Sequence, residues 1–265
     1  MEKIALYGFN NLTKSLSWNL YDVCYAETPE AKRLYLEYID EQYNSERLTE
    51  ILVHLTEMIG ANILNISKQD YEPQGASVNI LISEQPLPHG LLDPSNNAGH
   101  LKSSASNGSI NLHLDKSHVT VHTFPEAHPD SAISTFRVDL DIATCGEVVP
   151  LNTLDYLIGA FEADVMTVDY RVRGFTRDHS GRKIFIDHDI NSVCDYISPK
   201  VLAEYKSFDC NLPADNFYHT RLCRKLVSLD DYLFNRSAKD LLPAEQKRIR
   251  DAIESELEEI FVSGH

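Results

Sequence analysis

In the run Leu114-Asp115-Lys116-Ser117-His118-Val119-Thr120-Val121-His122-Thr123-Phe124-Pro125-Glu126, a serine opens an alternating segment and a histidine follows five residues later. A cysteine then arrives in Thr144-Cys145-Gly146. Hydroxyl, imidazole and thiol in this order suit a chain that converts its own serine into a reactive carbonyl. The Ser117 hydroxyl attacks the carbonyl of Lys116 and replaces the amide by an ester. A base removes the Ser117 Cα proton, and β-elimination cuts the chain. The second fragment is left with dehydroalanine, which hydrolyses to a pyruvoyl group. His122 suits the proton transfers because imidazole titrates near neutrality, and His118 competes with it for that role. Strand residues five apart point to opposite faces, so His122 needs a turn, a bulge or another geometry to reach Ser117. Plainer roles stay open as well: a polar strand serine, a satisfied histidine and a buried structural thiol.

The elements that must position these groups are legible in the periodicity. Residues 45–60 read as an amphipathic helix, capped by Ser45 or Thr49 and ended by Gly60. Asn62–Ile66 and Val78–Ile82 alternate as strands around the turn residues Pro73-Gln74-Gly75. Val119 and Val121 share one strand face. Phe136, Val138, Leu140 and Ile142 share a face of the next strand, with Asp139 and Asp141 on its other side. A helix over 150–162 and a strand over 164–172 follow, and Asp240–Val262 reads as a surface helix or helical pair. Residues 85–113, rich in Pro, Gly, Ser and Asn, read as a mobile loop. The pattern is α+β.

Composition narrows the function. The 265 residues carry a net charge of −16, which argues against nucleic acid as a partner because phosphate binding needs clustered Lys and Arg. No apolar run is long enough for a bilayer, and the first residues lack the layout of a signal peptide, so a cytoplasmic location is expected. Five irregularly spaced cysteines with no CxxC suit free thiols rather than disulfides or structural zinc. Arg171 and Arg173 share a strand face, where they could bind a substrate carboxylate or an effector but more often would pair with surface acids or a neighbouring subunit. Asp187-His188-Asp189 cannot all point at one ion, so no metal site is expected.

Longer motifs carry a resemblance. Leu6-Tyr7-Gly8-Phe9-Asn10-Asn11-Leu12-Thr13-Lys14, Gln69-Asp70-Tyr71-Glu72-Pro73-Gln74-Gly75-Ala76-Ser77-Val78, Leu114-Asp115-Lys116-Ser117-His118, Val121-His122-Thr123-Phe124-Pro125-Glu126, Asp169-Tyr170-Arg171-Val172-Arg173-Gly174 and Phe185-Ile186-Asp187-His188 are spread over residues 1–190. Together they resemble the bacterial S-adenosylmethionine decarboxylase proenzymes, the longer enteric type of this pyruvoyl-dependent family. The resemblance weakens beyond residue 190.

The resemblance implies cleavage between Lys116 and Ser117, with Ser117 becoming the pyruvoyl group that forms a Schiff base with the substrate. It implies His122 as proton acceptor in processing and Cys145 as proton donor in decarboxylation. Glu126 would hold the substrate ribose, Tyr71 would face the adenine, and Ser77 would assist processing. Residues 1–116 would form the β chain and 117–265 the α chain, one interwoven core with a helical extension from about residue 190. Two antiparallel sheets, each covered by helices, would pack as an αββα sandwich and assemble further to (αβ)4. S-adenosylmethionine would be decarboxylated for spermidine synthesis, with covalent pyruvate as cofactor and magnesium as an activator in relatives of this length. Two other readings compete: a pyruvoyl decarboxylase of arginine or ornithine, and a non-catalytic regulatory partner. The second should have lost Ser117, His122 or Cys145, and all three are present. The intact mass of the purified protein is expected to show fragments 1–116 and 117–265, the second blocked at its N-terminus, whereas Ser117→Ala should stay full length. A single uncut wild-type chain would contradict this.

Overall fold

The computed structural model describes residues 6–8, 10–84, 117–225 and 228–262. Lys116 and the expected loop at 85–113 lie outside them. Eight strands form one sheet in the order β2-β3-β4-β5-β1-β6-β10-β9, every neighbouring pair antiparallel. The strands are β1 (Thr13–Tyr25), β2 (Asn62–Asp70), β3 (Ala76–Ser83), β4 (Ser117–Ala127), β5 (Ile133–Cys145), β6 (Val165–Arg173), β9 (Tyr205–Asp209) and β10 (Phe217–Arg224). A separate hairpin pairs β7 (Thr176–Arg177) with β8 (Lys183–Ile184). The expected α+β architecture is therefore present.

Helices α1 (Pro29–Gln42), α2 (Ser45–Met58) and α3 (Leu154–Phe161) pack on one face of the sheet. Thr28 caps α1, its side chain accepting from the Ala31 N–H at 3.1 Å, and Pro29 fits the first turn, where no N–H is needed. Asn44, one residue before the expected caps, closes α2 by accepting from the Arg47 N–H at 2.9 Å. Ser45 instead donates through its N–H and hydroxyl to Asp70, while the Thr49 hydroxyl donates back to the Ser45 carbonyl. Gly60, at φ +70°, follows the helix end as predicted, since glycine enters this region without a Cβ penalty. The segment predicted as one helix over 150–162 splits into a 3-10 turn (Pro150–Thr153) and α3, both with buried apolar faces.

The alternation along β1 explains the two-sided core. Leu16, Trp18 and Leu20 pack with Leu48, Ile51, Leu52, Leu157 and Phe161 beneath α1–α3. From Tyr21 onward the odd positions are also covered: Val23 and Tyr25 pack with Val165 and Tyr232 against Ile249, Ile253 and Leu257. Those last three lie on a single long C-terminal helix (Pro243–Val262) on the opposite side of the sheet from α1–α3. The expected surface helix thus becomes a cover for one end of the second face, because its apolar stripe has Val23, Tyr25 and Val165 to bury. Apart from the exposed rings of Phe124 and Phe208, the rest of that face is largely polar. Ser17 bonds Asp141, Asn19 donates to Asp139 at 2.5 Å, and His219 pairs with Asp169 at 2.7 Å. We expect Leu52→Ala, at the centre of the α1–α3 core, to lower unfolding free energy by about 2–5 kcal/mol in chemical denaturation. A loss under about 1 kcal/mol would show that α2 packs more loosely than described.

Candidate active site

Ser117 is the first residue of β4 and Cys145 the last of β5. The β4–β5 register, with His118 opposite Ala143, brings these two strand ends together. Ser117 is 8% exposed. The Cys145 N–H donates to Ser117 Oγ at 3.2 Å, and Ser117 Oγ lies 3.6 Å from Cys145 Sγ. The hydroxyl and thiol named from the sequence therefore touch. After Cys145 the chain turns at Gly146, φ +79°, whose N–H donates to the Leu12 carbonyl at 3.2 Å. Glu84 covers this turn and accepts from the Val148 N–H at 3.0 Å; burial above all raises its carboxyl above the ordinary range.

His122 is elsewhere. It pairs with Ser77 on β3 and Asp139 on β5, and its ring is exposed on the polar face. Five strand residues span about 16 Å, and Ser117 and His122 alternate to opposite sides as the strand period requires. The structure does not bring them together within one chain. Instead the Tyr71 hydroxyl lies 3.1 Å from His122 Nδ1, and Phe124 stacks beside the imidazole with centroids 6.4 Å apart. The Arg137 guanidinium sits 4.3 Å over the Phe124 ring and pairs with Asp139 at 3.0 Å. Tyr71, Ser77, His122 and Phe124 thus form a second cluster, separate from Ser117 and Cys145. Glu126 is exposed four residues beyond His122. Its charge is felt by Glu256 of the C-terminal helix, whose carboxyl is raised first by burial, then by Glu259 and Glu126. Arg171 and Arg173 are exposed, and Asp169 between these strands is taken by His219.

Sequence reasoning missed the polar support behind Cys145. Lys14 Nζ donates to the Gly146 carbonyl at 2.7 Å and to Asp187 Oδ2 at 2.8 Å. The signal was available: Lys14 shares the strand parity of Leu16, Trp18 and Leu20, a core face on which a lysine is out of place. Asp187 and His188, weighed from the sequence only as metal ligands, bond each other instead, and Asp187 also accepts from Lys14 while His188 meets the Tyr170 hydroxyl.

The residues at the β4 start fit a pyruvoyl group made from Ser117. A carbonyl there would need a hydrogen-bond donor and a nearby acid, and the Cys145 N–H and thiol already face Ser117 Oγ. The Cys145–Gly146 turn is the fragile element. Gly146→Ala would place Cβ 1.7 Å from Glu84 Oε2 and force a residue with a side chain to positive φ. We expect that variant to lose about 1–3 kcal/mol of stability and to cut itself more slowly than wild type, read by denaturation and intact mass. Wild-type behaviour in both would mean that the turn does not govern Ser117.

Comparison with known proteins identifies the family. The family model described as S-adenosylmethionine decarboxylase matches residues 36–174. A protein of Alkaliphilus oremlandii named S-adenosylmethionine decarboxylase proenzyme is 58% identical over 98% of this chain and 96% of its own length. Proteins of the same name from Clostridium perfringens (58% identical) and Heliobacterium modesticaldum (51%) likewise match over 98% of this chain and 96% of theirs. The similarity therefore continues past residue 190, where the motifs read from the sequence thinned out. The chain belongs to the S-adenosylmethionine decarboxylase family.

Proposed function

We propose that this chain is the self-cleaving proenzyme of a cytoplasmic pyruvoyl-dependent decarboxylase that converts S-adenosylmethionine to S-adenosyl 3-(methylthio)propylamine and carbon dioxide, the aminopropyl donor of spermidine synthesis. The carrying observation is the contact of the Ser117 hydroxyl with the Cys145 N–H and thiol at the start of β4. Attack of Ser117 Oγ on the Lys116 carbonyl breaks the amide and forms an ester. Removal of the Cα proton expels the Lys116 carboxylate and leaves dehydroalanine. Tautomerisation and addition of water then release ammonia and leave the ketone. A pyruvoyl ketone supplies the electron sink that decarboxylation of an α-amino acid requires. Cys145, beside it, donates the proton that replaces the lost carboxylate.

The separation of the two clusters supports a site shared between copies. His122 lies about 16 Å along β4 from its own Ser117, so we assign it, with Tyr71 and Ser77, to the β4 start of a second copy. The polar face that carries them is not covered by α1–α3, and only one end of it lies under the C-terminal helix. Two copies meeting on it would form the αββα sandwich, and two such pairs would give (αβ)4. Tyr71 and Phe124 offer π faces to the adenine and the sulfonium cation, worth about 0.5–2 kcal/mol for a cation, and Glu126 would accept from the ribose hydroxyls. These groups favour S-adenosylmethionine over arginine or ornithine, which bring neither adenine nor ribose. Asp187 and His188 are committed to Lys14 and Tyr170, so a magnesium ion that stimulates the enzyme would act elsewhere.

Co-expression separates the two parts of this reading. Ser117→Ala and His122→Ala chains, each inactive alone, are expected to form mixed assemblies in which the His122→Ala chain is cut. Carbon dioxide release from labelled S-adenosylmethionine should return to about one quarter of wild type for statistically mixed pairs. Uncut mixed assemblies would sink the shared site. A cut wild-type enzyme that releases no carbon dioxide from this substrate would sink the substrate assignment.

A further inference from the structure

Behind the Cys145–Gly146 turn runs a line of buried polar groups to which the chemistry above gives no role. The Lys14 side chain is fully buried on the core face of β1, opposite Thr144 of β5. Two of its three ammonium hydrogens are accounted for, one on Asp187 Oδ2 and one on the Gly146 carbonyl. Asn10 donates to the same Asp187 oxygen at 2.7 Å. The other Asp187 oxygen lies 2.8 Å from His188 Nδ1, and the Tyr170 hydroxyl lies 3.1 Å from His188 Nε2. Burial pushes the Asp187 carboxyl up, but the bonds from His188, Lys14 and Asn10 outweigh it and hold it at about 2.

A buried ion pair is a weak source of stability, since well-packed neutral side chains of like volume are often as stable or more so. What the pair supplies at this place is geometry. The carbonyl that Lys14 grips belongs to the residue directly after Cys145, and Cys145 is the residue whose N–H and thiol hold Ser117 Oγ. We propose that Lys14, anchored by Asp187 and by the His188–Tyr170 pair behind it, is a positioning residue that fixes the Cys145–Gly146 turn and so sets the thiol against Ser117. This rests on the reading of Cys145 as proton donor. Lys14 touches neither reacting atom; it acts through the Gly146 carbonyl.

The test uses Lys14→Met/Asp187→Asn in the full chain, which removes both charges and keeps side-chain volume. Self-cleavage is timed by intact mass, and kcat and KM are taken per cleaved chain. Displacement of a reacting group by about 1 Å can cost about 100-fold in rate. Self-cleavage should therefore slow, and kcat should fall about 10- to 100-fold, with KM within about twofold of wild type, the pattern of a contact that matters in the transition state. Wild-type self-cleavage and wild-type kcat in this variant would overturn the proposal and leave the pair structural. If the double variant fails to fold, Asp187→Asn alone is read the same way: a lower kcat at unchanged KM supports the proposal, and an unchanged kcat overturns it. Because self-cleavage needs no substrate, an error in the substrate assignment leaves this readout intact.

Discussion

Antiparallel pairing of β4 with β5, itself held by β1, is the constraint on which the molecule depends. Side chains on a strand alternate with a period of two, so a slip of one residue in this ladder would send Val119 and Val121 from the core to the polar face. It would also move Ser117 about 3.3 Å along β5, away from the Cys145 N–H. The apolar set beneath α1–α3 therefore guards the candidate site. Leu16, Trp18 and Leu20 on β1, with Phe136, Val138, Leu140 and Ile142 on β5, admit one register, and that register leaves Ser117 and Cys145 side by side.

Local periodicity told part of the fold, although β1, α1, β9 and β10 were not read from it. The strands around Val78, Val119, Val138 and Val168 were readable because each alternates cleanly, and the expected faces of β4 and β5 are the observed ones. The cap of α2 was missed by one residue because Asn44, Ser45 and Thr49 are all competent acceptors, and Ser45 had a second use against Asp70. The side chosen by the C-terminal helix was not readable. Its stripe of Ile249, Ile253 and Leu257 states that a face is buried, not against which side of the sheet. That choice follows from Val23, Tyr25 and Val165, far away in sequence.

The site divided in the same way. Types and order singled out Ser117, His122 and Cys145, and strand parity alone placed Ser117 and His122 on opposite faces, as the structure does. Contact between Ser117 and Cys145 depends on a strand ladder between segments 28 residues apart, which no local spacing encodes. Lys14, Asp187 and His188 lay further still from any local signal, since Lys14 and Asp187 are 173 residues apart. Only the oddity of a lysine on an apolar strand face pointed there.

Ser117 is not in a loop beside the sheet but is the opening residue of an interior strand. β3 and β4 are direct neighbours, and so are β1 and β5, so the proposed scission before Ser117 would assign adjoining strands to different polypeptides. The products would stay joined through the ladder and the shared core alone. Folding of the uncut chain is unimolecular. Once cut, the same sheet can be rebuilt only by two molecules finding each other, with the association entropy that entails. On the proposed function the proenzyme is the form that folds alone, and cutting it would turn the return from the unfolded state into a meeting of two molecules.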